Sequence, residues 1–292
     1  MSASKRSQST GFEIFNRIFL FMAAAACLLP FIYVAIASIT TPEELLVKKV
    51  VLIPSQVSFA AYQYIFSTKI IPQSLGVSVF ITVFGTLINI SMTALMAYPL
   101  SRKNLRGRRP LLLMVVFTML FNGGMIPTYL VVSSLHLLNS FWALWLPTAI
   151  SAFNLILMRN FFQEIPNELI EAVKIDGGND WQILINVILP LSLPAIAAFS
   201  LFYAVGHWNS FFNAILYIKD ADKWPIQVWL RQIVLLSSGG FSDASAMSEV
   251  EYIPSVTTQY AVIIFATVPV LMIYPFVQKY FAKGVLVGSV KG

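Results

Sequence analysis

The sequence predicts an all-α integral membrane protein with six transmembrane helices, and three observations support this fold class. First, 58% of the 292 residues are hydrophobic and only 11% are charged, whereas a soluble domain carries about 25% charged residues. Second, six apolar runs approach the roughly 20 residues that a helix needs to cross a bilayer. Third, the central parts of these runs contain no Asp, Glu, Lys or Arg.

The six predicted spans divide the chain into a short N-terminal segment (1–14), a transmembrane domain (15–283) and a C-terminal tail (284–292). The spans are Phe15–Ile39, Ser74–Leu100, Leu111–Val132, Phe141–Met158, Ser192–Ile218 and Tyr260–Val277. An even number of spans places both termini on the same side of the membrane. Between the last two spans, "WPIQVWLRQIVLL" predicts an amphipathic helix that lies along the outer membrane interface.

The distribution of Lys and Arg predicts the orientation. If the N-terminus is cytoplasmic, most basic residues fall on the cytoplasmic side, including the cluster "SRKNLRGRR" in the short connection after the second span. Cytoplasmic loops carry such an excess of Lys and Arg. We therefore expect both termini in the cytoplasm. The same asymmetry explains the net charge of +6 without a nucleic-acid partner.

Several classes of site find no support in the sequence. One cysteine, Cys27, and two histidines, His136 and His207, are too few for a disulfide or a zinc site built from these residues. No G-x-x-x-x-G-K-[ST] phosphate loop occurs, so we expect no ATPase activity. No catalytic constellation is visible inside the spans, and we expect the chain not to be an enzyme. A secondary transporter usually carries carboxylates within its spans, and here they are absent.

One hydrophilic segment, "IPNELIEAVKIDGGNDWQILINVILP", interrupts the apolar sequence between the fourth and fifth spans. It predicts two short helices joined by a turn. Pro166 suits a helix start, Gly177 and Gly178 supply a left-handed stop, and Asn179 with Gln182 forms a capping box for the second helix. The segment is acidic, so anionic lipid would repel it. A protein partner is favoured over a headgroup surface.

The residues of this segment resemble the EAA loop of ABC importer permeases. That pattern is Glu-Ala-Ala, three residues, Gly, nine residues and Ile-x-Leu-Pro. Here Glu171-Ala172-Val173 precedes Gly177 at the same spacing, and Val187-Ile188-Leu189-Pro190 follows nine residues later. Val173 and Val187 depart from the pattern conservatively. We name residues 160–190 the EAA loop.

Flanking sequences extend the resemblance over nearly the whole chain. "LPLSLP", "FNGGMIPTYLVV", "NLILMRNFFQEIPNELIEA" and "YFAKGVLVGSVKG" look like the carbohydrate-uptake (MalG-like) branch, and within it the LplC/YtcP-type subgroup. The resemblance implies the type I ABC importer permease fold in a bacterial plasma (inner) membrane. It also implies transport of polysaccharide-derived oligosaccharides delivered by an extracytoplasmic binding protein.

The same resemblance implies partners and a coupling site. The partners are a second homologous permease subunit and two ABC ATPase subunits, which would bind ATP and Mg; this chain would bind no cofactor itself. The EAA loop would dock on an ATPase subunit and transmit its closure to the membrane helices. The residues implied in coupling are Glu168, Glu171, Ala172, Asp176 and Gly177.

Polar residues at membrane depth indicate a substrate path, because such groups usually face the bundle interior or a cavity. A sugar path needs aromatic faces and neutral hydrogen-bonding groups. The candidates are Tyr203, His207, Trp208, Asn209, Asn213, Asn122 and Asn89. For each one alone, hydrogen bonding between helices is the competing explanation.

The sequence leaves the substrate open. A neutral oligosaccharide is the first interpretation, because the predicted outer loops carry seven acidic against six basic residues and so do not indicate an anionic ligand. An acidic, alginate-like uronate oligosaccharide is the alternative, followed by a non-sugar ABC importer and a secondary transporter. A secondary transporter would work alone, whereas a permease subunit should be inert without its partners.

Overall fold

The computed structural model describes residues 10–48, 50–237 and 255–289. Most of the predicted N-terminal segment and the last three residues of the predicted tail lie outside these ranges. Apart from an isolated antiparallel bridge between Thr40 and Val57, the regular structure of the described residues is helical. The all-α fold predicted from composition is therefore confirmed.

The helices are numbered in chain order. They are α1 Thr10–Ser38, α2 Pro42–Val47, α3 Ala60–Ser67, α4 Ile70–Ser101, α5 Arg108–Leu120, α6 Met125–Ser134, α7 Trp142–Trp145, α8 Ala152–Glu164, α9 Asn167–Ile175, α10 Asp180–Ile183, α11 Leu189–Leu191, α12 Leu193–Trp208, α13 Phe212–Tyr217, α14 Ile226–Ser237 and α15 Val256–Ser289. A π-helical segment, Leu184–Ile188, connects α10 to α11. A short 3₁₀ turn, Ala221–Lys223, precedes α14.

Three unbroken helical stretches in the described residues are long and apolar enough to cross a membrane: Gly11–Ser38, Ile70–Ser101 and Val256–Ile273. Two bent helix pairs bring the number to five if each pair forms one span. The first pair is α5 with α6, and the second is Asp180–Leu191 with α12. These stretches correspond to five of the six spans predicted from hydropathy.

The third predicted span, Leu111–Val132, bends by 116° between α5 and α6. Gly124 adopts a positive φ of 87°, which glycine reaches at no steric cost. The backbone N–H of Gly124 donates to Asn122 Oδ1 at 2.9 Å. Asn122 therefore stabilises the bend through its own amide.

The fourth predicted span, Phe141–Met158, is not a single helix. It consists of α7, an irregular stretch and the first half of α8. Pro147 lies in the irregular stretch and cannot donate the backbone hydrogen bond that a continuous helix requires. Ser151 then begins α8, because its side chain accepts a hydrogen bond from the backbone N–H of Asn154. Hydropathy alone does not reveal this interruption.

The chain divides into two compact units. The first contains the described parts of residues 1–68 and 232–267, in which Tyr33 packs edge-on against Tyr260 at 6.0 Å and Thr257 Oγ1 donates to Thr40 O at 3.2 Å. The second contains 69–231 and the described part of 268–292. In this second unit α4 packs against α8 and α12, and this arrangement positions the candidate site.

The second unit has two apolar clusters. One surrounds Phe162, Met158 and Ile183, and the other surrounds Trp145, Ile81 and Val228. Val228 belongs to the first turn of α14, and the preceding backbone N–H of Ile226 donates to Ser78 Oγ at 2.8 Å. The start of this helix is thus packed in the protein core, and its position along the outer membrane interface stays a prediction.

Candidate functional site

Helix α4 carries the central polar residues of the second unit. Asn89 and Thr93 lie one turn apart on this helix, and their exposed fractions are 1% and 0%. Buried polar side chains need hydrogen-bond partners, because an unpaired group loses its hydration without compensation. Both residues find those partners on α12, and Asn89 also finds them on the irregular stretch before α8.

The side-chain amide of Asn89 joins three parts of the fold. Its Nδ2 donates to Thr148 O at 2.6 Å and to Ala149 O at 3.0 Å. Its Oδ1 lies 2.5 Å from Nε2 of His207 on α12. Since an amide oxygen only accepts, His207 Nε2 carries the proton in this contact. Asn89 therefore fixes both the irregular stretch and the histidine ring.

The ring of His207 lies directly over Gly85 of α4. A Cβ atom added at Gly85 would lie 2.5 Å from His207 Nε2, closer than real Cβ contacts allow. Glycine is required here by the close approach of the ring to the helix backbone.

Tyr203 makes a second link between the same elements. Its hydroxyl lies 2.8 Å from Thr93 Oγ1 and accepts a hydrogen bond from the backbone N–H of Ser151 at 3.1 Å. Tyr203 and His207 are one turn apart on α12, so the two links are stacked along the helix pair. Together they hold the interrupted fourth segment against α4 and α12.

A cavity of about 310 Å³ opens beside this network. It is lined by Asn89, Leu144, Thr148, Ser151, Asn154, Phe202, Tyr203, Gly206, His207, Ser210 and Asn213. Four of the residues predicted for a substrate path are therefore together in one place: Asn89, Tyr203, His207 and Asn213. Among the described residues that line it, there is neither a carboxylate nor a Lys or Arg.

The other three predicted path residues do not line this cavity. Trp208 is buried, with 7% of its surface exposed. Asn209 is exposed, and its Nδ2 donates to Val205 O at 3.0 Å. Asn122 is exposed and stabilises the bend before α6.

Sequence reasoning missed four polar residues of the cavity: Thr148, Ser151, Asn154 and Ser210. Asn154 is 6% exposed and stands alone in the apolar run "SAFNLILM". The rule that polar groups at membrane depth face a cavity applies to Asn154 as much as to Asn89, and would have found it.

The EAA loop folds as its local sequence predicts. Gly177 has a positive φ of 80°, and its N–H donates to Lys174 O at 3.1 Å, while that of Gly178 donates to Val173 O at 2.8 Å. This pair of hydrogen bonds is the Schellman motif that ends a helix. The capping box of Asn179 and Gln182 is also present, with hydrogen bonds of 2.8 and 2.9 Å. Both local predictions are confirmed.

The five residues implied in coupling, Glu168, Glu171, Ala172, Asp176 and Gly177, are all exposed. Helix α9 is anchored by Ile170, which is only 6% exposed and packs in the apolar cluster around Phe162. Large apolar side chains stand beside the acidic ones: Ile175 is 85% exposed and Trp181 is 60% exposed. The EAA loop thus presents a mixed acidic and apolar surface.

A hydrogen bond from Tyr98 connects the end of α4 to the EAA loop, and Arg102 packs on the Tyr98 ring. The Tyr98 hydroxyl donates to Asp180 Oδ1 at 3.2 Å, and the guanidinium of Arg102 lies 4.7 Å above the centre of the Tyr98 ring. Arg102 Nε and Nη2 are buried without a hydrogen-bond partner among the described residues. Burial lowers the pKa of Arg102, and the negative charge of Asp180 acts in the opposite direction.

Among the described residues, no group of three or more His, Cys, Asp and Glu side chains is placed to hold a metal ion. The chemistry of the cavity is instead that of neutral hydrogen-bond donors and acceptors with aromatic neighbours. Such a lining suits a polar ligand with hydroxyl groups.

A family model described as "Binding-protein-dependent transport system inner membrane component" matches residues 101–287. The chain is 60% identical over 274 residues to the polygalacturonan/rhamnogalacturonan transport system permease protein YtcP of Bacillus subtilis (strain 168). That match covers 94% of this chain and 96% of the relative. It is 49% identical over 281 residues to protein LplC of the same organism, covering 96% and 95% of the two chains.

A solved structure shares the fold. It is the crystal structure of a bacterial ABC transporter involved in the import of the acidic polysaccharide alginate. One of its chains matches with a TM-score of 0.84 and 35% identity, covering 96% of this chain and all of that chain. The importer permease fold predicted from the EAA loop and its flanking sequences is confirmed by this likeness.

Proposed function

Because the chain belongs to the family of binding-protein-dependent transport system inner membrane components, we propose that it is a permease subunit of an ATP-driven importer for oligosaccharides released from acidic polysaccharides. The observation that carries this proposal is the 60% identity, over 94% of the chain, to a permease named for polygalacturonan and rhamnogalacturonan. The cavity beside Asn89 and Tyr203 supports it, because its neutral polar groups suit sugar hydroxyls.

The comparisons favour the acidic substrate that the sequence left as an alternative. The units of polygalacturonan carry carboxylates, and alginate is itself described as acidic in the importer that shares this fold. Two relatives at different degrees of identity thus handle uronate polymers. The family assignment leaves the secondary transporter and the intramembrane enzyme without support.

The proposed assembly contains a second homologous permease subunit, two ABC ATPase subunits and an extracytoplasmic binding protein. ATP and Mg would bind at the ATPase subunits. In support, this chain presents an exposed helix, α9, with Glu168 and Glu171 on its surface and Ile175 almost fully exposed. Exposed apolar side chains rimmed by polar groups mark sites of protein interaction.

The proposed mechanism follows from the coupling of two sites by one rigid element. Closure of the ATPase pair would move the docked EAA loop, including Ala172, Asp176 and Gly177. A ligand shifts a conformational equilibrium only through different affinities for the two states. ATP would thus favour the state in which the substrate path opens to one side. We further propose that the protein lies in the bacterial plasma membrane with both termini cytoplasmic.

Uptake into proteoliposomes tests this function. The complex that contains this chain is reconstituted with its binding protein, and uptake of radiolabelled trigalacturonate is followed with and without internal ATP. We expect uptake that requires ATP, the binding protein and this chain. Uptake by this chain alone, or none with the full complex, would contradict the proposal.

A further inference from the structure

The polar residues of the cavity fall into two groups that differ in their hydrogen bonding. In the first group the side chains are already engaged within the protein. Asn89 uses both ends of its amide, Tyr203 binds Thr93 and Ser151 N–H, and Thr148 Oγ1 donates to Leu144 O at 3.0 Å. These contacts hold the walls of the cavity in place.

The second group consists of Asn154, Ser210 and Asn213. Each lines the cavity, and the side chain of none of the three forms a hydrogen bond within the described part of the chain. Asn154 is 6% exposed, so its amide has little access to solvent except through the cavity. The amide is therefore open to the cavity, and its hydrogen-bonding capacity is not used by the protein. A guest with hydroxyl groups can form those hydrogen bonds when it replaces water in the cavity.

The three free side chains come from separate elements that the first group fixes. Asn154 lies in the first turn of α8, which Ser151 caps, and the Ser151 backbone N–H is bound to Tyr203. Ser210 and Asn213 lie just beyond α12, whose position is fixed against α4 by His207 and Asn89. Residues held by rigid neighbours recognise a ligand with less loss of conformational entropy.

The charge of the lining decides which part of the substrate it can recognise. Recognition of a carboxylate by strong, charge-assisted bonds requires Arg or Lys, and neither occurs among the described residues that line the cavity. Amide and hydroxyl groups match the hydroxyls of a pyranose ring, each of which donates and accepts. The cavity therefore suits the common part of neutral and acidic sugar units.

We infer that Asn154, Ser210 and Asn213 form a subsite for the hydroxyl groups of a sugar unit in transit, and that this subsite does not read the substrate's charge. This inference rests on the proposed function. It implies that discrimination for uronates lies in the partner subunits or the binding protein. It also implies that a negative charge placed in the subsite makes the protein discriminate against acidic sugars in favour of neutral ones, which the natural subsite does not do.

Substitution of Asn154 by Asp tests the subsite, because the two side chains have the same shape and differ in charge. Uptake of trigalacturonate and of its neutral methyl ester is measured in the reconstituted complex, each relative to wild type. For Asn154→Ala we expect the uptake rates of both substrates to fall by a similar factor. That factor is about 2- to 12-fold for the loss of a hydrogen bond worth ~0.5–1.5 kcal/mol. For Asn154→Asp we expect the uptake rate of trigalacturonate to fall at least about fivefold further than that of the ester. The reason is that the new carboxylate repels the carboxylates of trigalacturonate in the cavity.

Asn209→Asp is the matched control. It introduces the same charge two residues after His207, but its side chain is exposed and bound to Val205 O. We expect the ratio of the uptake rates of the two substrates to stay at the wild-type value. Asn213→Asp gives an independent reading at a second subsite position if the Asn154 variants fail to assemble.

The outcomes separate this inference from the proposed function. If the wild-type complex imports neither oligosaccharide, the proposed function fails. If it imports them and neither Asn154→Asp nor Asn213→Asp changes the substrate ratio, the subsite is wrong while the function stands. An equal fall of the ratio in Asn209→Asp would mean that surface charge, not the cavity, causes the effect, and would also overturn the inference.

Discussion

The hydroxyl of Tyr98 donates a 3.2 Å hydrogen bond to Asp180 Oδ1, and this contact joins the end of α4 to the second helix of the EAA loop. The same helix α4 carries Asn89 and Thr93, which hold the walls of the polar cavity. One helix thus contacts both the surface proposed to receive the ATPase and the cavity proposed to receive the sugar. If both proposals hold, movement of the EAA loop reaches the cavity through this helix.

Removal of the Tyr98 hydroxyl should weaken that connection. Tyr98→Phe keeps the ring that stacks under Arg102 but loses a hydrogen bond worth ~0.5–1.5 kcal/mol. We expect slower uptake with little change in ATP hydrolysis, so that more ATP is consumed for each sugar imported. The measurement is the ratio of the two rates in proteoliposomes.

A matched control is Tyr62→Phe, which removes a hydroxyl that is hydrogen-bonded to Ser38, far along the sequence from the EAA loop. Its ratio of hydrolysis to uptake should equal that of wild type. An unchanged ratio in Tyr98→Phe would show that the contact with Asp180 does not contribute to coupling.

Gly177 should not tolerate a β-branched residue. Its φ of +80° lies in the region where an L-residue costs roughly 1–2 kcal/mol, and the Schellman hydrogen bonds depend on it. We expect Gly177→Val to distort the end of α9 and to reduce uptake while the ATPase subunits still hydrolyse ATP. Gly177→Asn should retain more uptake, since Asn visits this region more readily. Normal uptake with unchanged ATPase affinity in Gly177→Val would refute the role of this turn in coupling.

Gly85→Ala tests the close packing of His207 on α4. The new methyl group would lie 2.5 Å from His207 Nε2, so the ring must move and the contact with Asn89 must break. We expect lower thermal stability of the complex and lower uptake. Gly76→Ala, on the same helix with nothing within 4 Å of an added Cβ, should be neutral or stabilising by about 0.5–1 kcal/mol. Equal stability of both variants would show that the ring is not held as described.

The proposed orientation predicts that a tag at the C-terminus is reachable only from the cytoplasm. The reason is the excess of Lys and Arg in the connections assigned to that side, above all Arg102–Arg109. Labelling a C-terminal cysteine with a membrane-impermeant reagent, in a Cys27→Ser background, checks this. Labelling in intact cells would show that the C-terminus lies outside and would contradict the proposed orientation.

Local signals in the sequence predicted the EAA loop well. The left-handed stop at Gly177 and the capping box of Asn179 and Gln182 depend on residues only a few positions apart, so the sequence contains all that is needed to predict them. The hydrophobic spans were predicted for the same reason, because a continuous apolar run is a local property.

The interruptions within the spans could not be predicted by hydropathy. The bend between α5 and α6 and the irregular stretch around Pro147 lie in sequence that remains apolar. At the bend the hydrogen bond is local, from Gly124 N–H to Asn122, but in the irregular stretch the partners are distant: Thr148 O and Ala149 O accept from Asn89, some sixty positions earlier. Such pairings depend on tertiary contacts.

The cavity shows the same division. Asn89, Tyr203, His207 and Asn213 were predicted from their polarity at membrane depth, and the structure places them together. Trp208 and Asn209, chosen by the same reasoning, lie outside the lining. A helix turns by 100° at each residue, so neighbours in the sequence face different directions, and composition alone does not give the direction.

Purification of this chain from its native membrane in a mild detergent tests the central claim most directly, because a permease subunit depends on its partners. We predict that a second permease chain and an ABC ATPase subunit are recovered with it. We also predict that Gly177→Val, or Ile175→Ala, lowers the recovery of the ATPase subunit but not that of the second permease chain. Recovery of this chain by itself, still active in transport after reconstitution, would contradict the account.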